Sequence, residues 1–411
     1  MDAASVSKLL SPDGWALLNS LPPYDEKQAM ALATRLRADG VDADLAAAAL
    51  TQSRLRAKAR AKLGDFAEGM LFTPDGVEQA TRLVVAALHA RRYLAAGVTK
   101  VADLTSGIGA DALAFAGVGL RVLATDVDEI TAALATVNLR HFPEAEVRHA
   151  DGLALDLAAE GVDGVYADPA RRTRGGRRVF DPAAYAPPLD AVWDLRAQVP
   201  ALGIKVGPGI PHQGLPDDAE TQWVSVDGDV VEAGLWFGPL APAGPGRSAL
   251  VLATSSPRPT SRTLRTDLHD DAGGADLVPD VGPVGAYLYE PDGAVIRAGL
   301  VAHAAAELGG RLLDRTIAYV TTDQPAGPPA EGAAPLATGY RVLDVMPFNL
   351  KRLKAYLRER GVGRLTIKKR GTAVTPEQLR AQLSPKGDAE ATLVLTRVGG
   401  AQHVLVVEPL R

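Results

Sequence analysis

Residues 100–128 read KVADLTSGIGADALAFAGVGLRVLATDVD. Val101-Ala102-Asp103-Leu104 is a short apolar run interrupted by one acid, as in a buried strand. Ser106-Gly107-Ile108-Gly109 is a turn, apolar helix formers follow from Ala112 to Ala116, and a second apolar run at 121–124 ends on Asp126. The stretch predicts strand, tight turn, helix, strand. A turn that opens a helix leaves the first backbone N–H groups without intrahelical partners and pointing outward. Glycines at 107 and 109 let a ligand come against the main chain, because no Cβ intrudes. An acid at the end of the second strand can take both hydroxyls of a ribose.

Two cofactor classes use this geometry. Gly107-x-Gly109-x-x-Ala112 fits the dinucleotide fingerprint of NAD and FAD sites. Asp103 weighs against it: there the helix N-terminus faces a pyrophosphate, which a neighbouring carboxylate repels. A cationic sulfonium with an amino-acid tail suits the acid, with Asp103 toward its ammonium or its sulfonium. At these residues the chain resembles the class I S-adenosylmethionine-dependent methyltransferases, whose first motif is D-x-x-x-G-x-G and whose second is an acid after strand two. The resemblance implies that Asp103, Gly107 and Gly109 hold the methionine end of S-adenosylmethionine and that Asp126 holds the ribose. A turn with no ligand is the plain alternative, disfavoured because two glycines and two placed acids coincide in one βαβ unit.

Downstream, residues 146–152 predict a third strand ending in an acid, Asp151, which the resemblance places on the adenine amino group. His149, inside that strand, is read as structural. A fourth strand, 164–167, leads into Asp168-Pro169-Ala170-Arg171. Ligands of open α/β sheets sit at the carboxyl ends of the strands. An Asp-Pro there resembles the fourth motif of nucleic-acid methyltransferases, in which the Asp oxygen and a backbone carbonyl hold the target amine; Asp168 and Pro169 are the catalytic candidates. Ala170 and Arg171 stand where a second proline and an aromatic are usual. The D-P-x-R form is closer to the 5-methyluridine RNA methyltransferases, which attack the base with a cysteine. The chain has no cysteine, so covalent pyrimidine C5 chemistry is excluded. The next loop carries Arg171, Arg172, Arg174, Arg177 and Arg178 and then Phe180. It offers a phosphate grip and, with Phe180 or Tyr185, a base stack; a plain surface loop is the alternative. Upstream, Phe72-Thr73-Pro74 predicts a capped helix running to about residue 95. It is similar to the pre-motif that lies over the cofactor in methyltransferases such as trimethylguanosine synthases, so Phe72 and Thr73 join the cofactor candidates.

The 411 residues allow two to three domains, and a 47% apolar share allows a sizeable core. A net charge of −5 excludes a uniformly basic nucleic-acid coat. The absent cysteines remove disulfides, thiolate zinc sites and thiol nucleophiles, and fit a cytoplasmic location. No signal-peptide core and no membrane span is expected, nor is a metal. Residues 1–65 predict a helical region whose Arg54, Lys58 and Lys62 share one face, solvated or phosphate-contacting. Strand five at 201–206, a D-G hairpin around 227–228 and a last strand at 249–253 complete a sheet of the methyltransferase kind. A dinucleotide domain more often ends on a sixth parallel strand.

Residues 256–282 predict a linker. From 283 a second α/β unit begins. Between 351 and 370 it carries nine basic residues against one acid, Glu359. With segments such as LTIKKRGTAVTPEQLR it resembles the THUMP-like domain of bacterial RNA methyltransferase-type proteins, which implies RNA binding. A basic helix facing solvent, or pairing with the acidic catalytic domain, is the alternative. The expected fold is therefore α/β: a seven-stranded Rossmann-like methyltransferase sheet over 66–255, the helical N-terminal region, and an α+β THUMP-like domain over 283–411. The expected function is S-adenosylmethionine-dependent methylation of a base nitrogen in tRNA or rRNA. The alternatives are a protein or small-molecule methyltransferase, and an RNA-binding protein with an inactive methyltransferase domain.

Overall fold

A computed structural model describes residues 3–171, 184–255, 258–267 and 279–410. They form two compact units, residues 1–206 with 236–243, and 207–235 with 244–411.

The first unit opens with helices α1 (Ala3–Leu10), α2 (Pro12–Ser20), α3 (Ala29–Ala38) and α4 (Ala43–Leu63). Asp42 caps α4 by accepting the Leu45 N–H, and Gly64 ends it with a positive φ of 57°. The small buried residues Ala46, Ala49 and Ala59 let α4 lie close to its neighbours. Of its basic side chains, Lys58 pairs with Glu78 at 2.9 Å, Lys62 reaches the carbonyls of Glu78 and Ala80, and Arg60 bridges Asp65 and Glu68. Lys58 and Lys62 of the face read as solvated or phosphate-contacting are thus engaged within the protein.

The strap at residues 70–72 has no regular structure, yet its backbone is satisfied by side chains. Gln52 clamps both backbone groups of Phe72, at 2.7 and 2.9 Å. Asn138 does the same for Leu71, at 2.7 and 3.0 Å, and also donates to the Ile108 carbonyl. The predicted single helix after Thr73 is two, α5 (Pro74–Gln79) and α6 (Leu83–Ala95). Ala80 turns extended, its carbonyl accepts from Lys62, and the Thr81 hydroxyl bonds Asp111 instead of the helix backbone.

Strands β1 (Lys100–Asp103), β2 (Arg121–Asp126), β3 (Ala145–His149), β4 (Gly164–Ala167) and β5 (Leu202–Val206) pair in parallel, in the order β5-β4-β1-β2-β3. Between them run α7 (Ala110–Gly117), α8 (Glu129–Asn138) and α9 (Leu189–Asp194). The second unit supplies β6 (Glu220–Val226), β7 (Asp229–Trp236), β8 (Gly246–Ala253) and β9 (Thr260–Asp267), and the complete sheet has nine strands, β9-β8-β6-β7-β5-β4-β1-β2-β3. The Asp227-Gly228 turn has positive φ at both residues, 51° and 88°, as a two-residue hairpin requires. The sheet thus extends the expected seven strands by two. The ninth, antiparallel to β8, lies in the stretch expected to be a linker. Its TSRTLRTD sequence is polar because an edge strand buries little, and polarity is what made it read as a connection.

The rest of the second unit holds a seven-stranded sheet of β10 (Tyr287–Pro291), β11 (Arg311–Asp314), β12 (Ile317–Thr322), β13 (Ala337–Pro347), β14 (Val362–Lys369), β15 (Ala389–Val398) and β16 (Ala401–Pro409), ordered β11-β12-β10-β13-β16-β15-β14. Alternate residues of β15 serve two cores: Leu393 and Leu395 pack with Leu353, Leu357 and Leu379, while Val394 packs with Tyr319 and Leu405. The helix expected over 294–308 is split into α10 (Gly293–Arg297) and α11 (Val301–Glu307) around Gly299, whose φ of 75° breaks it. Helices α12 (Leu350–Glu359) and α13 (Pro376–Leu383) contribute Leu353, Leu357 and Leu379 to the first of those cores.

Candidate active site

A cavity of about 450 Å³ opens at the carboxyl ends of β1, β2 and β4, lined among others by Asp103, Gly107, Asp111, Asp126, Asp151 and Asp168. That volume is typical of a small-molecule site. Each acid but Asp111 stands at or just past the end of a parallel strand, which is why strand pattern alone could find it.

The turn between β1 and α7 carries positive φ at Gly107 (54°) and Gly109 (84°). A Cβ at Gly107 would meet nothing within 4 Å, so its backbone conformation, not crowding, calls for glycine there. The Gly107 N–H donates to Asp126 Oδ2 at 3.0 Å, and the Asp128 N–H to Oδ1 at 2.9 Å. Burial nevertheless outweighs these donors and pushes the Asp126 carboxyl above its ordinary range. Asp151 caps a short turn by accepting the Leu153 N–H at 3.0 Å.

Asp103 is 1% exposed. Among the described residues its Oδ2 has no partner, and its other oxygen receives only a 3.4 Å contact from the Thr105 N–H. Burial first, and then Asp111, push its carboxyl well above the ordinary range. Asp111 behaves oppositely. Its Oδ2 accepts from the Thr81 hydroxyl at 2.6 Å and its Oδ1 lies 3.0 Å from His89 Nδ1. Burial opposes its ionisation, but His89, Lys205 and Thr81 together hold it below the usual range. Lys205 extends this chain, donating to Thr81 at 2.9 Å and pairing with Asp168 Oδ2 at 2.5 Å. The Thr105 hydroxyl accepts the Asp168 N–H at 2.6 Å. Asp168 is thus fixed at both its backbone and its carboxylate.

The other candidates lie as follows. Phe72 is fully buried in the core and Thr73 caps α5; Gly109 is the N-cap of α7. None of the three, nor Pro169, is among the lining residues. Tyr185 is buried in a short strand paired with residues 170–171, and Ala186-Pro187-Pro188 after it reaches the cavity wall. The side chain of Arg171, and Arg172, Arg174, Arg177, Arg178 and Phe180, lie outside the described residues. The sequence reading missed Thr81, His89 and Asp111, and it assigned no role to Lys205, which it set near the pocket rim. An acid in the first turn of a helix reads as a dipole partner, and Thr81 was hidden inside a helix predicted to be continuous. Five carboxylates on one wall suit a cationic ligand. Among the described residues no group of three or more histidine or acidic side chains is arranged to hold a metal, and no helix is long and apolar enough to cross a membrane.

Residues 337–409 match a family described as THUMP domain-like, and residues 2–59 one described as a domain of unknown function. An uncharacterized S-adenosylmethionine-dependent methyltransferase of Mycobacterium tuberculosis, strain CDC 1551, is 34% identical over 354 residues, 84% of this chain and 91% of that relative. Its counterpart in strain H37Rv matches equally. A solved structure of a proposed methyltransferase from Porphyromonas gingivalis W83 agrees with a TM-score of 0.70, over 95% of this chain and all of that one, at 21% identity. That likeness shows the fold: an α/β methyltransferase sheet with a helical N-terminal region and a C-terminal THUMP-like domain. With the fold and the Mycobacterium relatives in agreement, the chain belongs to the S-adenosylmethionine-dependent methyltransferases, enzymes for which S-adenosylmethionine is the methyl donor.

Proposed function

We propose that this methyltransferase acts on a base nitrogen of RNA, in tRNA or rRNA, in the cytoplasm. The observation that carries the reading is Asp168, held by Lys205 and Thr105 on the wall that also bears Asp103, Asp126 and Asp151. The fit of the cofactor rests on Asp103: a buried carboxylate oxygen without a partner suits an ammonium. Asp103 and the glycine turn hold the methionine end. Asp126 takes the ribose hydroxyls through lone pairs that Gly107 and Asp128 leave open. Asp151 accepts from the adenine amino group.

The cofactor supplies an already activated methyl group, so this chain's task is alignment and exclusion of water. Asp168 accepts a hydrogen bond from the target N–H, turns the nitrogen lone pair toward the methyl, and takes the proton released as the N–C bond forms. The arginines at 171–178 are assigned to RNA phosphates and Phe180 to the base.

The RNA part is supported by the THUMP-like match and by the charge of the second unit. Four of its nine basic residues between 351 and 370 have an acidic partner: Lys368 and Arg370 share Glu290, Arg364 pairs with Glu390, and Arg360 lies 4.0 Å from Glu359. Lys351, Lys354 and Arg358 are exposed at helical spacing on α12 and form no ion pair among the described residues. A stripe of free cations suits a phosphate backbone.

The test is methyl-tritiated S-adenosylmethionine with total RNA from cells lacking the protein, wild type beside Asp168→Ala. Label in one RNA size class, falling about 10²-fold or more in the variant, is expected. Cofactor binding without any RNA label would overturn the RNA reading in favour of a protein or small-molecule acceptor, or a binding role.

A further inference from the structure

Asp103 and Asp111 are two buried carboxylates on one cavity wall with unequal supplies of counter-charge. Both oxygens of Asp111 are engaged, by Thr81 at 2.6 Å and by His89 at 3.0 Å, and the Lys205 ammonium stands behind Thr81. Asp103 has no such support. The groups that act on it from neighbouring elements are Asp111 on α7, Asp126 on β2, Asp168 after β4 and the phenol of Tyr93 on α6. Tyr166 on β4 shares the cavity wall, and Lys205 on β5 is bonded to Asp168 and Thr81. Three carboxylates therefore press on a fourth that water does not reach.

We propose that Asp103 carries a proton in the free protein and yields it to solvent when an ammonium-bearing ligand binds, with Asp111 as the residue that makes the site proton-exchanging. The proposal deepens the assignment of Asp103 to the methionine end and rests on it. The balance is simple. A neutral carboxylic acid and a ligand ammonium become a carboxylate–ammonium pair, and one proton leaves. The charge enclosed at that spot is zero before and after, so the cavity stays neutral there in both states. The amino group thereby becomes a specificity element: a ligand with it drives the exchange, and one without it leaves Asp103 protonated. Asp111 cannot take Asp103's place, because its oxygens are already committed to Thr81 and His89.

The test is calorimetric titration of the full chain at pH 6.5, where a ligand α-amino group is still charged, in several buffers of different ionisation enthalpy. The slope of observed heat against buffer enthalpy counts protons. S-adenosylmethionine and S-adenosylhomocysteine are each expected to release about one proton, and 5′-methylthioadenosine, which lacks the amino acid, none. Asp103→Asn is expected to release none and to bind S-adenosylhomocysteine about tenfold or more weakly. In Asp111→Asn the pH of half-maximal release moves down by about one unit or more. A wild-type slope of zero, with Asp103→Asn still weakening binding, would overturn the proton exchange while keeping Asp103 on the ammonium. Unchanged affinity in Asp103→Asn would remove that assignment and the exchange with it. The wild-type slope needs no variant to fold.

Discussion

Burial without counter-charge at Asp103 lowers the stability of the free protein above acid pH. The Asp103 carboxyl is raised well above the ordinary value by burial and by Asp111, and the long contact from the Thr105 N–H does not offset them. Because the folded value is the higher one, the contribution is fully present below the unfolded value, about 3.9, and is lost as pH rises through the folded value. Asp103→Asn removes this loss. The variant is expected to melt above wild type at pH 8, by a gap that narrows toward pH 4, with both free of ligand. Asp111→Asn has the opposite sign. Asp111 is held below the ordinary range, so its contribution is present above the unfolded value and disappears in acid. That variant should melt below wild type at pH 7 and converge with it as pH falls. Thermal melts from pH 4 to 8 check both, and parallel curves for the three proteins would contradict the charge assignment. The contrast also marks what sequence could show. Asp103, Asp126, Asp151 and Asp168 were legible because strand ends are periodic and an acid there is conspicuous. Thr81, His89 and Lys205 come from α6, the break before it and β5, and only folding brings them to Asp111.

Elements were legible where one force dominates. The βαβ unit at 100–126 was, since apolar strands and a glycine turn admit few other folds. The break between α5 and α6 was not, because a side-chain contact, Thr81 to Asp111, overrides good helix formers. Nor was β9, whose polar residues have the composition of a loop. Composition also overcounted the basic segment of the second unit. Glu390 pairs with Arg364 of β14, and Glu290 is shared by Lys368 and Arg370, whereas Lys351, Lys354 and Arg358 of α12 have no acidic partner among the described residues. Within the second unit, the proposed RNA contact therefore belongs to α12. Replacing Lys351, Lys354 and Arg358 together by glutamine should weaken RNA binding and lower the slope of log affinity against log salt by about 2 to 3. Arg364→Gln, which removes a cation already paired with Glu390, should leave both nearly unchanged. Fluorescence anisotropy at several salt concentrations measures the two together, and equal effects would place the contact elsewhere.

At the scale of the molecule, the cavity is lined wholly by residues of the first unit, whereas the exposed cations of α12 belong to the second. If the first unit holds the cofactor and the second contributes RNA affinity, loss of one should spare the other. Asp126 is the residue with which to ask. It sits at the end of β2, where its carboxylate accepts the N–H of Asp128 and that of Gly107 in the turn between β1 and α7, and it forms no ion pair among the described residues. Its assigned bonds are two charged hydrogen bonds to ribose hydroxyls, each contributing about 1.5–3 kcal/mol. Asp126→Ala should therefore lower S-adenosylhomocysteine affinity by about 10²-fold or more in calorimetry. RNA affinity, measured by anisotropy on the same preparation, should stay within about twofold, because none of the residues assigned to RNA is bonded to that carboxylate and one removed negative charge there is screened over a Debye length of about 8–10 Å. Equal loss of both would mean that the cofactor is part of the RNA-binding surface, and the division of labour between the units would have to be abandoned.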